Sequence, residues 1–169
     1  MPAGKTYEPI ATTTISGSPT SYTFTSIPQS YTDLVLVFVG DLGGTTNFVI
    51  RVGNGSIDTG TNYSTTILDG NGSAAVSASY TNSSFYLLDY NAASSGNQRT
   101  FTTNLFNYSN TTTYKTFLTK SALPSAEVVL GAGLWRSTSA INQIKVFGSG
   151  ETHSIANGSM ITLYGIKAA

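Results

Sequence analysis

The stretch TDLVLVFVG, Thr32 to Gly40, is apolar on both of its parities. Leu34, Leu36 and Phe38 fall on one face, and Val35, Val37 and Val39 on the other. It is too short for a membrane span and shows no helical period, so it reads as a β-strand. A sandwich strand needs only one apolar face. The second face must then be covered by a loop, an arm or another subunit. SMITLYGI near the C-terminus behaves similarly, with Met160, Thr162 and Tyr164 against Ile161 and Leu163. Two double-faced strands predict a homo-oligomer.

Short runs rich in Thr, Val, Tyr and Phe recur along the chain, separated by Gly, Asn, Ser and Pro. This is strand punctuation. Candidate strands are Tyr7–Ile15, Ser21–Ile27, Asp33–Leu42, Phe48–Gly53, Tyr63–Leu68 and Ala75–Tyr80. Ser84–Tyr90, Arg99–Tyr108, Tyr114–Lys120, Glu127–Arg136, Asn142–Phe147 and Met160–Ile166 complete the set. Strands at this spacing predict an all-β chain without significant helix, folded as an antiparallel two-sheet β-sandwich of jelly-roll type. Asn54-Gly55, Asn71-Gly72 and Asn157-Gly158 are turn signals, because both residues tolerate positive φ. GNGSIDTGTNYS and YNAASSGNQ read as exposed loops. Residues 1–14, with Pro2 and Pro9, read as an extended arm, and residues 15–169 as a single sandwich domain.

The 169 residues suit one domain, and 40% hydrophobic content is enough for a core. Charged residues make up only 9%, far below the usual quarter. The polar surface is therefore built of Ser, Thr, Asn and Gly. Eight basic and eight acidic residues cancel, which argues against a nucleic-acid groove and leaves little repulsion between copies. There is no cysteine, so disulfides, thiolate metal sites and a cysteine nucleophile are excluded. No segment has the apolar core of a signal peptide or the length of a membrane helix.

Catalytic signals are sparse. His153 is the sole histidine, and no G-x-S-x-G elbow accompanies it. Asp58 and Asp69 could converge as a glycosidase pair, but their Gly- and Asn-rich settings favour hydrogen bonds to turn backbone. DGNGS, Asp69 to Ser73, opens like a calcium loop, yet Ala74 and Tyr80 stand where the glycine and glutamate belong. Trp135-Arg136 reads as a core anchor followed by a solvent-reaching arginine. No catalytic, metal or cofactor site is assigned. The N-x-S/T patterns at Asn54, Asn62, Asn71, Asn82, Asn107, Asn110 and Asn157 arise from composition. NYSNTTTYKTF, Asn107 to Phe117, reads as two strands joined by a turn at Asn110–Thr113.

SIPQSYTDLVLV (Ser26–Val37), GTNYSTTILDGNGS (Gly60–Ser73), NYSNTTTYKTF, GLWRSTSAINQIKVF (Gly133–Phe147) and the terminal GSMITLYGIKAA resemble a family of small virion structural proteins of tailed bacteriophages. The resemblance implies no catalytic residues and no cofactor. It implies a place on the outer surface of the virion, assembled in the host cytoplasm, with the major capsid protein or other virion proteins as partners. Neither a nucleic acid nor a membrane is expected as partner. A chain that opens with its own methionine and arm, without a stalk, is expected to be a capsid decoration (cement) protein clamping capsomers as a trimer. Tyr7, Pro9, Ile10, Leu34, Leu36, Phe38, Trp135 and Tyr164 are the candidate assembly contacts, whether within the fold or between subunits. The alternative is a fibre or receptor-binding subunit that hydrogen-bonds host polysaccharide through Tyr63, Asn91, Asn97 and Tyr108.

Overall fold

The computed structural model describes residues 6–90, 96–123 and 127–167. Strands β1 (Tyr7–Thr14), β2 (Ser21–Phe24), β3 (Asp33–Gly40), β4 (Phe48–Asn54), β5 (Ser56–Ile57) and β6 (Tyr63–Gly70) come first. They are followed by β7 (Ala75–Ser83), β8 (Tyr86–Leu87), β9 (Arg99–Phe106), β10 (Lys115–Leu123), β11 (Glu127–Trp135), β12 (Gln143–Gly148) and β13 (Met160–Ile166). There is no helix among the described residues.

The chain is an antiparallel two-sheet β-sandwich. The large sheet has eight strands in the order β1-β13-β3-β9-β10-β11-β6-β7. The small sheet has five, ordered β2-β12-β4-β5, with β8 also on β4. Residues 7–14, read from sequence both as a strand and as part of an arm, pair with β13 in the same chain, from Tyr7↔Ile166 to Thr14↔Met160.

Register aligns the inward side chains of the large sheet in rows. One row runs Leu163, Leu36, Thr103, Thr119, Gly131 and Ile67. Against these rows the small sheet packs Phe24, Phe48, Ile50, Val52, Ile144 and Val146. Phe38 stacks on Phe101 at 5.0 Å within the large sheet and meets Phe48 across the interior at 4.3 Å. Burying one such ring stabilises by about 2 to 3 kcal/mol.

Tyrosines stitch the sheets together. The Tyr63 hydroxyl on β6 accepts from the Val52 N–H at 3.0 Å and lies 3.1 Å from the Val52 and Asp58 carbonyl oxygens. Burial pushes this phenol far up from its ordinary value. Tyr86 on β8 reaches the large sheet, where its hydroxyl donates toward Thr119 Oγ1 (3.0 Å) and the Gly131 carbonyl (3.1 Å). Its ring lies over Gly133, where an added Cβ would fall 2.1 Å from Tyr86 Cε2. Glycine on β11 makes room for the ring.

The Asn107–Tyr114 segment is the turn of the β9–β10 hairpin. Asn110 Oδ1 accepts the N–H groups of Thr112 (2.7 Å) and Thr113 (2.8 Å). Tyr108 is buried, with its hydroxyl bonded to the Pro28 carbonyl.

Candidate functional site

The outward face of the large sheet is the broadest feature with no layer over it among the described residues. One outward row runs Thr162, Val37, Thr102, Lys120, Leu130, Leu68 and Ser77. The row beside it runs Met160, Val39, Thr100, Ala122, Val128, Gly70 and Ala75. Lys120 is the one charged side chain in these two rows. Leu68 and Leu130 sit directly opposite one another and are 54% and 45% exposed, and neighbouring Val128 is 66% exposed. Large apolar side chains side by side on an open face mark an interaction surface more than scattered ones do.

The face arises from the local strand pattern. On β11, Glu127, Val129, Gly131 and Trp135 point inward, so Val128, Leu130 and Ala132 point out. An apolar-parity reading would invert this strand. The Tyr86 ring decides the matter, because it fills the space above Gly131 and Gly133.

The candidate assembly contacts divide into two groups. Leu34, Leu36, Phe38 and Trp135 are buried in the core and serve the fold. Ile10 packs partly buried against that core. Tyr7 and Pro9 are exposed near the β1 edge, and the Tyr7 ring meets half-buried Tyr164 edge-on at 6.2 Å. The second face of β3 is covered in part by its own chain: Val35 is buried, paired with Tyr164 on one side and Asn104 on the other.

The polysaccharide contacts proposed from sequence need correction. Tyr63 and Tyr108 are completely buried, because their hydroxyls are used inside the sandwich. Asn97 is half-buried, and Asn91 lies outside the described residues. Sequence reasoning missed a groove of about 570 Å³ between β7 and β8 that includes Tyr80, Phe85, Asn47 and Ser83. It is lined by hydroxyls, an amide and apolar rings, without a charged group.

Charge gathers elsewhere, in the interior. Arg99 Nη1 donates to Asp89 Oδ2 and to the Thr46 carbonyl, both at 2.8 Å, and Asp89 Oδ1 accepts the Phe48 N–H at 2.8 Å. Burial pushes the Asp89 carboxyl up to about 7, against the pull of the Arg99 guanidinium. Asp69 and Glu127 are buried as well. Such acids are shut away from any polymer substrate, whereas a glycosidase pair must flank one. Asp69 is thus not a turn residue. Asp58 is: its carboxylate accepts Gly60 N–H (2.8 Å), Asn62 Nδ2 (2.9 Å) and Trp135 Nε1 (2.7 Å). Burial alone would raise its pKa, but these donors and Arg51 hold it below the ordinary value. Asp69 sits six residues beyond Tyr63 on β6, about 20 Å along the strand, so the two acids do not converge.

Lys115 is a second interior charge, its Nζ donating to the carbonyls of Thr113 (2.7 Å) and Thr138 (3.3 Å). Desolvation lowers its pKa. Arg99 and Lys115 share parity with Phe101 and Phe117, and that was the sequence signal for their burial. The His153 ring covers Gly44. Among the described residues, no group of three or more His, Asp or Glu side chains is placed to hold a metal. The DGNGS segment makes a turn instead, with Asn71 Oδ1 accepting the N–H groups of Ser73 (3.0 Å) and Ala74 (2.8 Å).

No protein-family model matches the chain, and no curated protein matches it. Among solved structures it is similar to CG-16, a homodimeric agglutinin from chicken liver, at 12% identity and a TM-score of 0.36, covering 85% of this chain and 98% of that one. It is also similar to an alginate lyase variant in complex with an alginate tetrasaccharide, at 10% identity and a TM-score of 0.30, covering 82% and 72%. Neither likeness reaches the level at which a ligand or an activity transfers.

Proposed function

We propose that this protein is a non-enzymatic structural component of a tailed-bacteriophage particle, a decoration protein that packs its large sheet against the head shell. The observation that carries this reading is the charge-poor outward face with Leu68, Leu130 and Val128 clustered on its β11 and β6 strands. Such a face gains free energy by leaving water, and a nearly uncharged partner surface loses little by covering it. The family resemblance of the sequence supplies the phage context.

The test is co-sedimentation of purified protein with expanded, undecorated shells. Wild type should pellet with the shells, and Leu130→Asp should stay in the supernatant while keeping its circular dichroism spectrum. Equal pelleting of the variant would remove the face from the mechanism.

A second reading rests on the groove beside β7. Its Tyr80 and Phe85 rings, with Asn and Ser around them, suit an uncharged sugar. Binding to host cells with none to shells would select this reading, and Tyr80→Ala should then abolish it.

A further inference from the structure

The free edge of the large sheet at β7 has the properties of a strand built to be paired. Among the described residues, the only strand that β7 pairs with is β6. The hairpin turn identifies which of its backbone groups point outward. The Asn71 N–H donates to the Ala74 carbonyl, so Asn71 and Ala74 form a bonded pair. Bonded and non-bonded pairs alternate along an antiparallel ladder. Gly70/Ala75, Leu68/Ser77 and Thr66/Ser79 are therefore non-bonded pairs. The N–H and C=O groups of Ala75, Ser77 and Ser79 face the open edge.

Edge strands are normally guarded by charge, proline or a bulge. The sequence AVSASY, Ala75 to Tyr80, has no charge, no proline and no glycine. A register shift between Tyr63 and Thr65 marks a bulge only beyond Tyr80, near Asn82 with its φ of 54°. Among the described residues, no strand pairs with the straight part of this edge.

We propose that β7 pairs with β7 of a second copy, antiparallel about a two-fold axis at Ser77, joining two large sheets into one. The register follows from the strand itself. Outward groups must meet outward groups, and centring on Ser77 pairs Ala75 with the second copy's Ser79 and Ser77 with its own counterpart. That supplies about six backbone hydrogen bonds. Side chains fit as well. Ala75, Ser77 and Ser79 are small on the outward face. On the inward side, Val76 of one copy lies beside Ala78 of the other, and Tyr80 beside Ala74. Val76 and Tyr80 are 41% and 38% exposed in the single chain, and pairing covers them. The zero net charge leaves no long-range repulsion to oppose the contact. The pairing does not depend on the shell-binding reading, because it uses the edge and leaves Leu130 and Val128 free. Its symmetry is two-fold, in place of the trimer suggested by the family resemblance.

Sedimentation velocity on the full chain at tens of micromolar tests the assembly. Wild type should run at twice the 17.7 kDa chain mass. Ser77→Lys sets two ammonium groups against each other at the axis, and Ser77→Pro removes an outward N–H without breaking a bond to β6. Both should weaken association at least tenfold with an unchanged circular dichroism spectrum. As the chain lacks cysteine, Ser77→Cys carries a single nitroxide, and paired labels should broaden the spectrum strongly because their Cα atoms lie about 5.5 Å apart. A monomeric or trimeric wild type, a dimer that survives both substitutions, or labels without dipolar broadening would each overturn the proposal.

Discussion

The two edges of the large sheet are built on opposite principles. At β1, Pro9 removes a donor, a register shift between Pro9 and Ala11 bends the strand, and Glu8 holds Lys167 at 2.8 Å. Tyr31 adds a bond to the same carboxylate at 3.2 Å. At β7 these devices are missing until the strand has passed Tyr80. An edge guarded on one side and open on the other gives a sheet that can grow by one partner and then stop. A sheet open at both edges would form fibres, because each added copy would present a new edge.

The largest expected effect comes from removing the guard altogether. Deleting residues 1–14 strips β13 of one of its two partner strands and uncovers the flank of Ile161 and Leu163. The loss should be on the order of 3 kcal/mol or more, and the truncated chain should aggregate on size exclusion. A truncated domain that stays monodisperse with the wild-type melting temperature would show that β1 is a dispensable arm. Next comes Ser77→Lys at the open edge, expected to weaken self-association by at least ~1.4 kcal/mol, a tenfold change, with an unchanged circular dichroism spectrum.

A transfer of properties sharpens the contrast further. In the Ser77→Lys background, replacing Glu8 and Pro9 with valine should restore association through β1, read as a return of the dimer in sedimentation. If the quadruple contrast of wild type, each change and both together shows no such return, proline and charge are not what closes β1. Glu8→Gln alone is the smallest perturbation, since its ion pair is with an exposed lysine. It should move the melting temperature by less than about 2 °C.

Much of the fold was legible because strand length and punctuation are local properties. The Asp33–Gly40, Phe48–Asn54, Arg99–Phe106 and Met160–Ile166 strands all fall where apolar runs meet turn residues. The Asn110 turn was legible for the same reason, its side chain satisfying its own neighbours. β5, only Ser56–Ile57, was not, because two residues show no alternation. Ser84–Tyr90 contracted to Tyr86–Leu87, since Leu87 and Leu88 are both buried although they face opposite ways in a regular strand. The candidate surface was the least legible part. On β11, Val128 and Leu130 resemble core residues in every local respect.

By itself the sequence determined an all-β chain, its turn positions, its charge-poor surface and the absence of thiol chemistry. Those properties depend on residue type and on neighbours a few positions away. Tertiary structure decided which side of each strand faces water. Arg99 and Lys115 went inside because carbonyls and Asp89 accept hydrogen bonds from their N–H groups there. Leu68, Leu130 and Val128 went outside because the Tyr86 ring, from a strand some 45 residues earlier in the chain than Gly131, occupies the space above the β11 glycines. A period of two defines two faces, and only the partner across the sandwich selects between them.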